Sequence, residues 1–473
     1  MPNHRARLRA LSAHLLPHPV AEETQTATAT LQHGGPVITR QLAAEGAPVV
    51  FGLPGAGQYE ATDAMYDNPD VRYIWTRHEQ AATYMADGYA RVTGGVGCAL
   101  VVPGPGFYNA AAGLISANSV HSRVLVMTGA PHYSNSWTAE GATPAEDLSM
   151  LRPLCKWAGR ADTTEQVPAT LHEAFTQMRS GRPGAAVVEL SRAALQDGRI
   201  DDPGMVFPDP AQDPAPEPPA SDVAAAAAAL GGALKPLLWV GSGASGAAAE
   251  VQALAEALNC GVISSQQGKG ILSDHHPLSL GFGNTAYSKL AEWVDECDAI
   301  VLVGTTSAAP PPPEEAVWRE KLQTNARVVI RIDTSPEQAK EGSTLPIVAD
   351  SAKALTAICA ALDVTVSAED KAAVAAAIAA LNEHRHGPEE QLQPQGSFMA
   401  AIRAALPDNG VVVNGMNQVS LSPLNALPPP LLSVVSSADG LLLPQLPPRL
   451  PAAHHAHRLR LRHPRLRVPH RAG

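Results

Sequence analysis

Arg77-His78-Glu79-Gln80-Ala81-Ala82 is the run in this chain best suited to chemistry. It follows a strand-like stretch and opens a helix of small residues. A lone carboxylate there can hold and exchange a proton with a bound ring, provided it is kept out of bulk water. An acid in a first helical turn also simply meets the positive end of the helix dipole. The triplet alone leaves both roles open. Pro103-Gly104-Pro105-Gly106 ends another apolar stretch, with Asn109 and Gly113 following on the next helix. Glycines at a strand end let backbone approach a flat ring and let the next helix start tightly. A bare βα turn would use the same residues. Leu53-Pro54-Gly55 is a turn of the same kind. His78 and His121 have the chemistry of proton carriers, but neither shows a partner in the sequence.

These residues need a frame. Strand-like runs at 49–51, 71–76, 98–102, 124–128 and 185–190 alternate with helical stretches such as 79–92 and 109–118. That alternation predicts a parallel sheet with helices on both faces. Residues 201–220 are rich in Pro and Asp and read as a linker. A second α/β unit follows over 221–365. Its strands are expected at 236–240, 261–264, 299–303 and 327–332, and its helices at 222–230 and 247–258. Pro310 to Pro313 reads as a surface loop. Gly241-Ser242-Gly243-Ala244-Ser245-Gly246 is a loose GxGxxG after a strand, compatible with a dinucleotide phosphate. No acid ends the following strand, which weakens an NAD reading. Helices are expected at 368–383 and 397–406, and Gly410-Val411-Val412-Val413 reads as the first strand of a third α/β domain.

The chain has 473 residues, of which 45% are hydrophobic and 17% charged, enough to bury two or three cores. A net charge of -11 argues against nucleic-acid or membrane-surface binding by the folded part. Five scattered cysteines without a CxxC pair fit a reducing cytoplasm and argue against a metal knuckle. No apolar run is long enough to span a bilayer. Residues 1–33 read as a disordered leader. From Gly440 onward the chain has no acidic residue and no lysine. Residues 420–473 therefore read either as a disordered basic tail or as GC-rich DNA translated out of frame. The break in mid-element favours the second.

Taken together, these segments resemble the thiamine-diphosphate-dependent enzymes of the acetolactate synthase type. The carriers are Val50-Phe51-Gly52-Leu53-Pro54-Gly55, Arg77 to Ala82, Ala86-Asp87-Gly88-Tyr89-Ala90-Arg91, the Pro103–Gly106 turn with Asn109 and Gly113, and Gly181-Arg182-Pro183-Gly184. Each is weak alone; their order and spacing carry the resemblance, which continues more loosely to about Gln418. It implies a doubly wound pyrimidine-binding domain (34–200), a Rossmann-like middle domain (221–365), and connecting helices with the stub of a diphosphate-binding domain (366–419).

The resemblance also implies roles. Glu79 would bond N1′ of the cofactor's aminopyrimidine and so activate the C2 position of its thiazolium. Pro54, Gly55, Gly104, Pro105, Gly106 and Asn109 would form the cofactor pocket. Phe107 stands where many relatives have a small residue, which implies a different substrate side. Lys156 reads as packing or a salt bridge. The implied activity is decarboxylation and carboligation of 2-keto acids, as in branched-chain amino acid biosynthesis, by a homodimer or homotetramer. FAD is an optional ligand of the middle domain. In the family a Gly-Asp-Gly turn and a later Asn hold the diphosphate and Mg²⁺. No Gly-Asp-Gly occurs in this sequence, so no metal ligand is expected here. Two alternatives stay open: a non-catalytic truncated family member, and a nucleotide-binding protein centred on the second unit.

Overall fold

The computed structural model describes residues 33–66, 68–129, 148, 150–198, 200, 216–282, 288–305, 327–385, 395–405, 411–415 and 432–436. The expected leader, most of the linker, the polyproline run and nearly all of the basic tail lie outside them.

In chain order the first domain comprises α1 (Gly34–Ala44), β1 (Val49–Gly52), α2 (Tyr59–Ala64), β2 (Arg72–Trp75), α3 (Glu79–Thr93), β3 (Gly97–Val101), α4 (Pro105–Ser119), β4 (Val124–Gly129), β5 (Trp157–Ala161), α5 (Val167–Arg179) and β6 (Ala186–Leu190). The six strands run in the order β2-β1-β3-β4-β6-β5, all parallel. Alternation along each strand divides the core. Val50, Cys98, Leu100, Leu125, Met127 and Val188 pack on one face under α1 and α5, against Ile38, Leu42, Leu171 and Phe175. Phe51, Ala99, Val101, Val126 and Val187 face the other way, against Ala82 and Ala86 of α3 and Phe107 and Leu114 of α4. A strand buried on both faces reads as an unbroken apolar run, which is why these strands were legible.

β1 leads to β2 on one side of the sheet, whereas β3 leads to β4 on the other. The connections thus diverge between neighbouring strands, and such a switch point leaves a crevice at the carboxyl ends. The turns after β1 and β3 border it.

The second domain comprises α6 (Ala220–Gly231), β7 (Pro236–Val240), α7 (Ala248–Leu258), β8 (Gly261–Ser264), β9 (Ser279–Phe282), β10 (Ala299–Val303), β11 (Val328–Asp333), β12 (Leu345–Val348) and α8 (Ser351–Ala361), with a shorter helix at Ser288–Asp295. Its strands are ordered β12-β11-β10-β7-β8-β9, again all parallel, and its switch point falls between β7 and β10. Arg91 of α3 holds Asp87 with two bonds, 2.9 and 2.8 Å, and donates to Gln267 of this domain at 3.0 Å.

Helices Ala368–Arg385 and Gln395–Ala405 follow, then β13 (Val411–Gly415). Its parallel partner β14 (Leu432–Ser436) lies in the segment expected to be irregular. Four strands escaped the sequence reading: β5, β9, β12 and β14. β5 mixes apolar with polar residues at a sheet edge, and β12, at the edge of the second sheet, is a four-residue run interrupted by Pro346.

Candidate active site

The turn between β2 and α3 is set by local chemistry. His78 is the N-cap, extended at φ −159 and ψ 144, and its Nδ1 accepts the Gln80 N–H at 3.2 Å. This satisfies an amide that the helix itself cannot, and it is the role of His78. The Thr76 hydroxyl lies 3.2 Å from the Gly52 carbonyl and 3.1 Å from that of His78. It ties the start of α3 to the end of β1. Gly94, at φ 71, closes the helix in a left-handed cap.

Glu79 is therefore the first residue of α3, and it is 6% exposed. Its Oε2 accepts from Asn109 Nδ2 of α4 at 3.1 Å. Its Oε1 makes no hydrogen bond with any of the described residues. Beside that oxygen stands Gly106. A Cβ at Gly106 would fall 2.8 Å from Glu79 Oε1 and 2.3 Å from Val102 Cγ2. The glycine is thus required by the carboxylate and the valine together. On the other side of Val102, a Cβ at Gly55 would fall 2.4 Å from Cγ1. One valine wedges the two glycine turns apart and joins them into one wall. Gly104 takes φ 66 and ψ −121, a conformation that favours glycine, and Pro105 is the first residue of α4. Pro54 lies partly buried in the turn after β1. Gly113 lets α4 approach α3, since a Cβ there would fall 2.7 Å from Thr83 Cβ.

The sequence-predicted residues Glu79, Asn109, Gly106 and Gly55 thus meet around Val102. Sequence reading missed Val102, because an apolar residue ending a strand carries no signal of its own. It also missed Gln58, which is fully buried. Phe107 is a correction: it is fully buried in the core between α4 and the sheet, so it does not set the substrate side. Facing it to the crevice would forfeit roughly 2 kcal/mol of burial. Lys156 donates from Nζ to the carbonyls of Gln177 and Ser180, capping the end of α5. His121 stands at φ 59 after α4. Burial, then the nearby Arg182 and Lys156, push its imidazole down to about 4, against a weaker upward pull from a backbone bond to Pro183.

The second switch point is built differently. The Gly241 and Gly243 amides donate to the carbonyls of Val303 and Gly304, each at 2.9 Å, and Ala244 and Ser245 donate within the turn. A Cβ at Gly241 would fall 2.4 Å from Gly304 O. Gly241 and Gly243 of this GxGxxG serve loop-to-loop packing, and their amides are taken. Lys269, 4% exposed, pairs with Asp274 at 2.6 Å. Four of the amides that the pattern would offer a phosphate are thus already bonded to carbonyls.

Among the described residues no group of three His, Cys, Asp or Glu side chains could hold a metal ion. No helix among them is long and apolar enough to cross a membrane. The five cysteines are free, four of them buried.

Comparison with known proteins matches residues 32–147 to the family described as thiamine pyrophosphate enzyme, N-terminal TPP binding domain, and residues 223–358 to its central domain. A probable acetolactate synthase large subunit of Methanocaldococcus jannaschii is 30% identical over 348 residues, covering 72% of this chain and 57% of that protein. The acetolactate synthase isozyme 3 large subunit of Escherichia coli is 31% identical, covering 68% of this chain and 56% of the relative. A probable 2-ketoarginine decarboxylase of Pseudomonas aeruginosa is 29% identical over 82% of this chain and 68% of its own length. The chain spans about 57% of the length of the acetolactate synthase relative from M. jannaschii. Its two parallel-sheet domains agree with these matches: the chain belongs to the thiamine pyrophosphate enzymes and carries their N-terminal and central domains.

Proposed function

We propose that this chain supplies the aminopyrimidine side of a thiamine diphosphate site serving decarboxylation and carboligation of a 2-keto acid, with pyruvate to acetolactate as the default reaction. The observation that carries this is the Glu79 carboxylate: buried, fixed at one oxygen by Asn109, and without a bond from the described residues at the other. The fit to the cofactor rests on that carboxylate; the glycines at 55 and 106 let Val102 and Glu79 pack directly on the turns beside it. When bound, thiamine diphosphate supplies the electron sink for decarboxylation. Glu79 would hold or release a proton at Oε1. Asn109 keeps the carboxylate from turning away. Val102, Gly104 and Gly106 shape the wall against which a flat ring would lie.

The diphosphate and its Mg²⁺ need hard oxygen ligands. We assign these to groups outside the described residues, in a second subunit or an intact family member. A homodimer or homotetramer in the cytoplasm is part of this reading. FAD is left out of it, since the amides of Gly241, Gly243, Ala244 and Ser245 in the second domain's glycine turn already bond carbonyls. The absence of a Gly-Asp-Gly turn favours one second reading: a non-catalytic subunit that lends Glu79 to a longer chain.

The test is pyruvate-dependent CO₂ release with and without thiamine diphosphate and Mg²⁺, by the chain alone and mixed with an intact acetolactate synthase carrying its own glutamate disabled. Turnover by the chain alone supports the first reading. Turnover only in the mixture supports the second. No thiamine-dependent turnover in either sinks both.

A further inference from the structure

Gln58 lies immediately after the turn 53–57 and is 0% exposed. Its Nε2 reaches back across the turn to the Leu53 carbonyl at 2.5 Å. Its Oε1 is buried and has no hydrogen-bond partner among the described residues. A buried acceptor left unpaired is unfavourable, so an apolar side chain of the same size would serve packing better. The turn it spans is demanding. Gly57 has φ 87 and stands close to Pro103, and its carbonyl would lie 2.2 Å from a Cβ at Gly129. Gly55 rests on Val102, the wedge shared with Gly106 and hence with Glu79. The amide of Gln58 is a direct side-chain tie across this turn.

We infer that Gln58 is a positioning residue: its amide fixes the shape of the turn 53–57 and so one wall of the crevice beside Glu79. The role in shaping a cofactor wall rests on the functional reading above; the tie itself does not. Misplacing a wall by a fraction of an ångström weakens what binds there without unfolding the domain.

Gln58→Met and Gln58→Leu remove the tie and also remove the unpaired acceptor. We expect a Tm unchanged or higher in both, faster hydrogen–deuterium exchange confined to the amides of 53–57, and roughly ten-fold weaker binding of thiamine diphosphate with Mg²⁺ by titration calorimetry on the full chain. Unchanged exchange in 53–57, or unchanged affinity in both variants, overturns the proposal. So does a lowered Tm in both, which would make Gln58 a core residue only. Glu79→Gln separates the two layers. If neither the chain alone nor its mixture with the disabled intact synthase gives thiamine-dependent turnover that Glu79→Gln lowers, the functional reading fails, and the wall-shaping role goes with it. The exchange measurement on the unliganded chain decides the turn-anchoring role by itself.

Discussion

The two domains repeat one architecture and spend it differently. Each has six parallel strands with a switch point near the middle, and each places glycine turns there. In the first domain the glycines make room around a carboxylate, and Glu79 keeps an oxygen free of the described residues. In the second, Gly241 and Gly304 interlock, their amides bond the neighbouring turn, and Lys269 is neutralised by Asp274. A crevice comes with the topology; whether it is a site depends on whether its polar groups are already satisfied.

The sharpest test of that contrast is Glu79→Gln, which keeps shape and removes the exchangeable carboxylate. We expect thiamine-dependent turnover to fall by about 10²–10⁴-fold, as for loss of a general acid–base group, with Tm little changed. Retained turnover would remove the distinction between the two crevices. Gly106→Ala comes next. Its Cβ would press on Val102 and on Glu79 Oε1, costing about 1–3 kcal/mol of stability, and we expect thiamine diphosphate affinity in calorimetry to fall with it. Gly241→Ala is the matching change in the second domain. Overpacking against Gly304 should cost a similar 1–3 kcal/mol in urea unfolding while leaving thiamine diphosphate affinity unchanged. A loss of affinity there would show that the second switch point belongs to the same site.

The smallest effect concerns His121, on which neither crevice depends. Its folded-state pKa of about 4 lies below the ordinary value of 6.5. As pH falls through 6.5 the unfolded chain takes up the proton first, so stability is lost between about pH 6.5 and pH 4. Screening at this partly solvated ring limits the loss to roughly 1 kcal/mol. His121→Asn, which suits φ 59 and does not titrate there, should flatten the Tm profile across that window. An equally steep profile in the variant would assign the acid limb to other groups.

The strands at 236–240, 261–264 and 299–303 were legible to the residue, because burial on both faces writes an unbroken apolar run. β5 and β9 were not, since the edge strand β5 is only half buried and β9 reads Ser-Leu-Gly-Phe, with no apolar run to mark it. Glu79, Asn109 and the glycine turns were singled out through the family resemblance that their order and spacing carry. Phe107 was assigned to the wrong side, because about half a turn of helix separates a cleft-facing from a core-facing position, and only packing against the sheet decides between them.

The sequence by itself determined the α/β alternation and the two-domain order, because periodicity and turn chemistry are local. Tertiary structure alone decided that Asn109 holds one oxygen of Glu79, that Val102 joins two glycine turns, that Gln58 ties one of them, and that the amides of Gly241 and Gly243 are already bonded. Each of those depends on chain segments far apart in sequence meeting at a strand end, where the cost of leaving a buried polar group unpaired selects the partner.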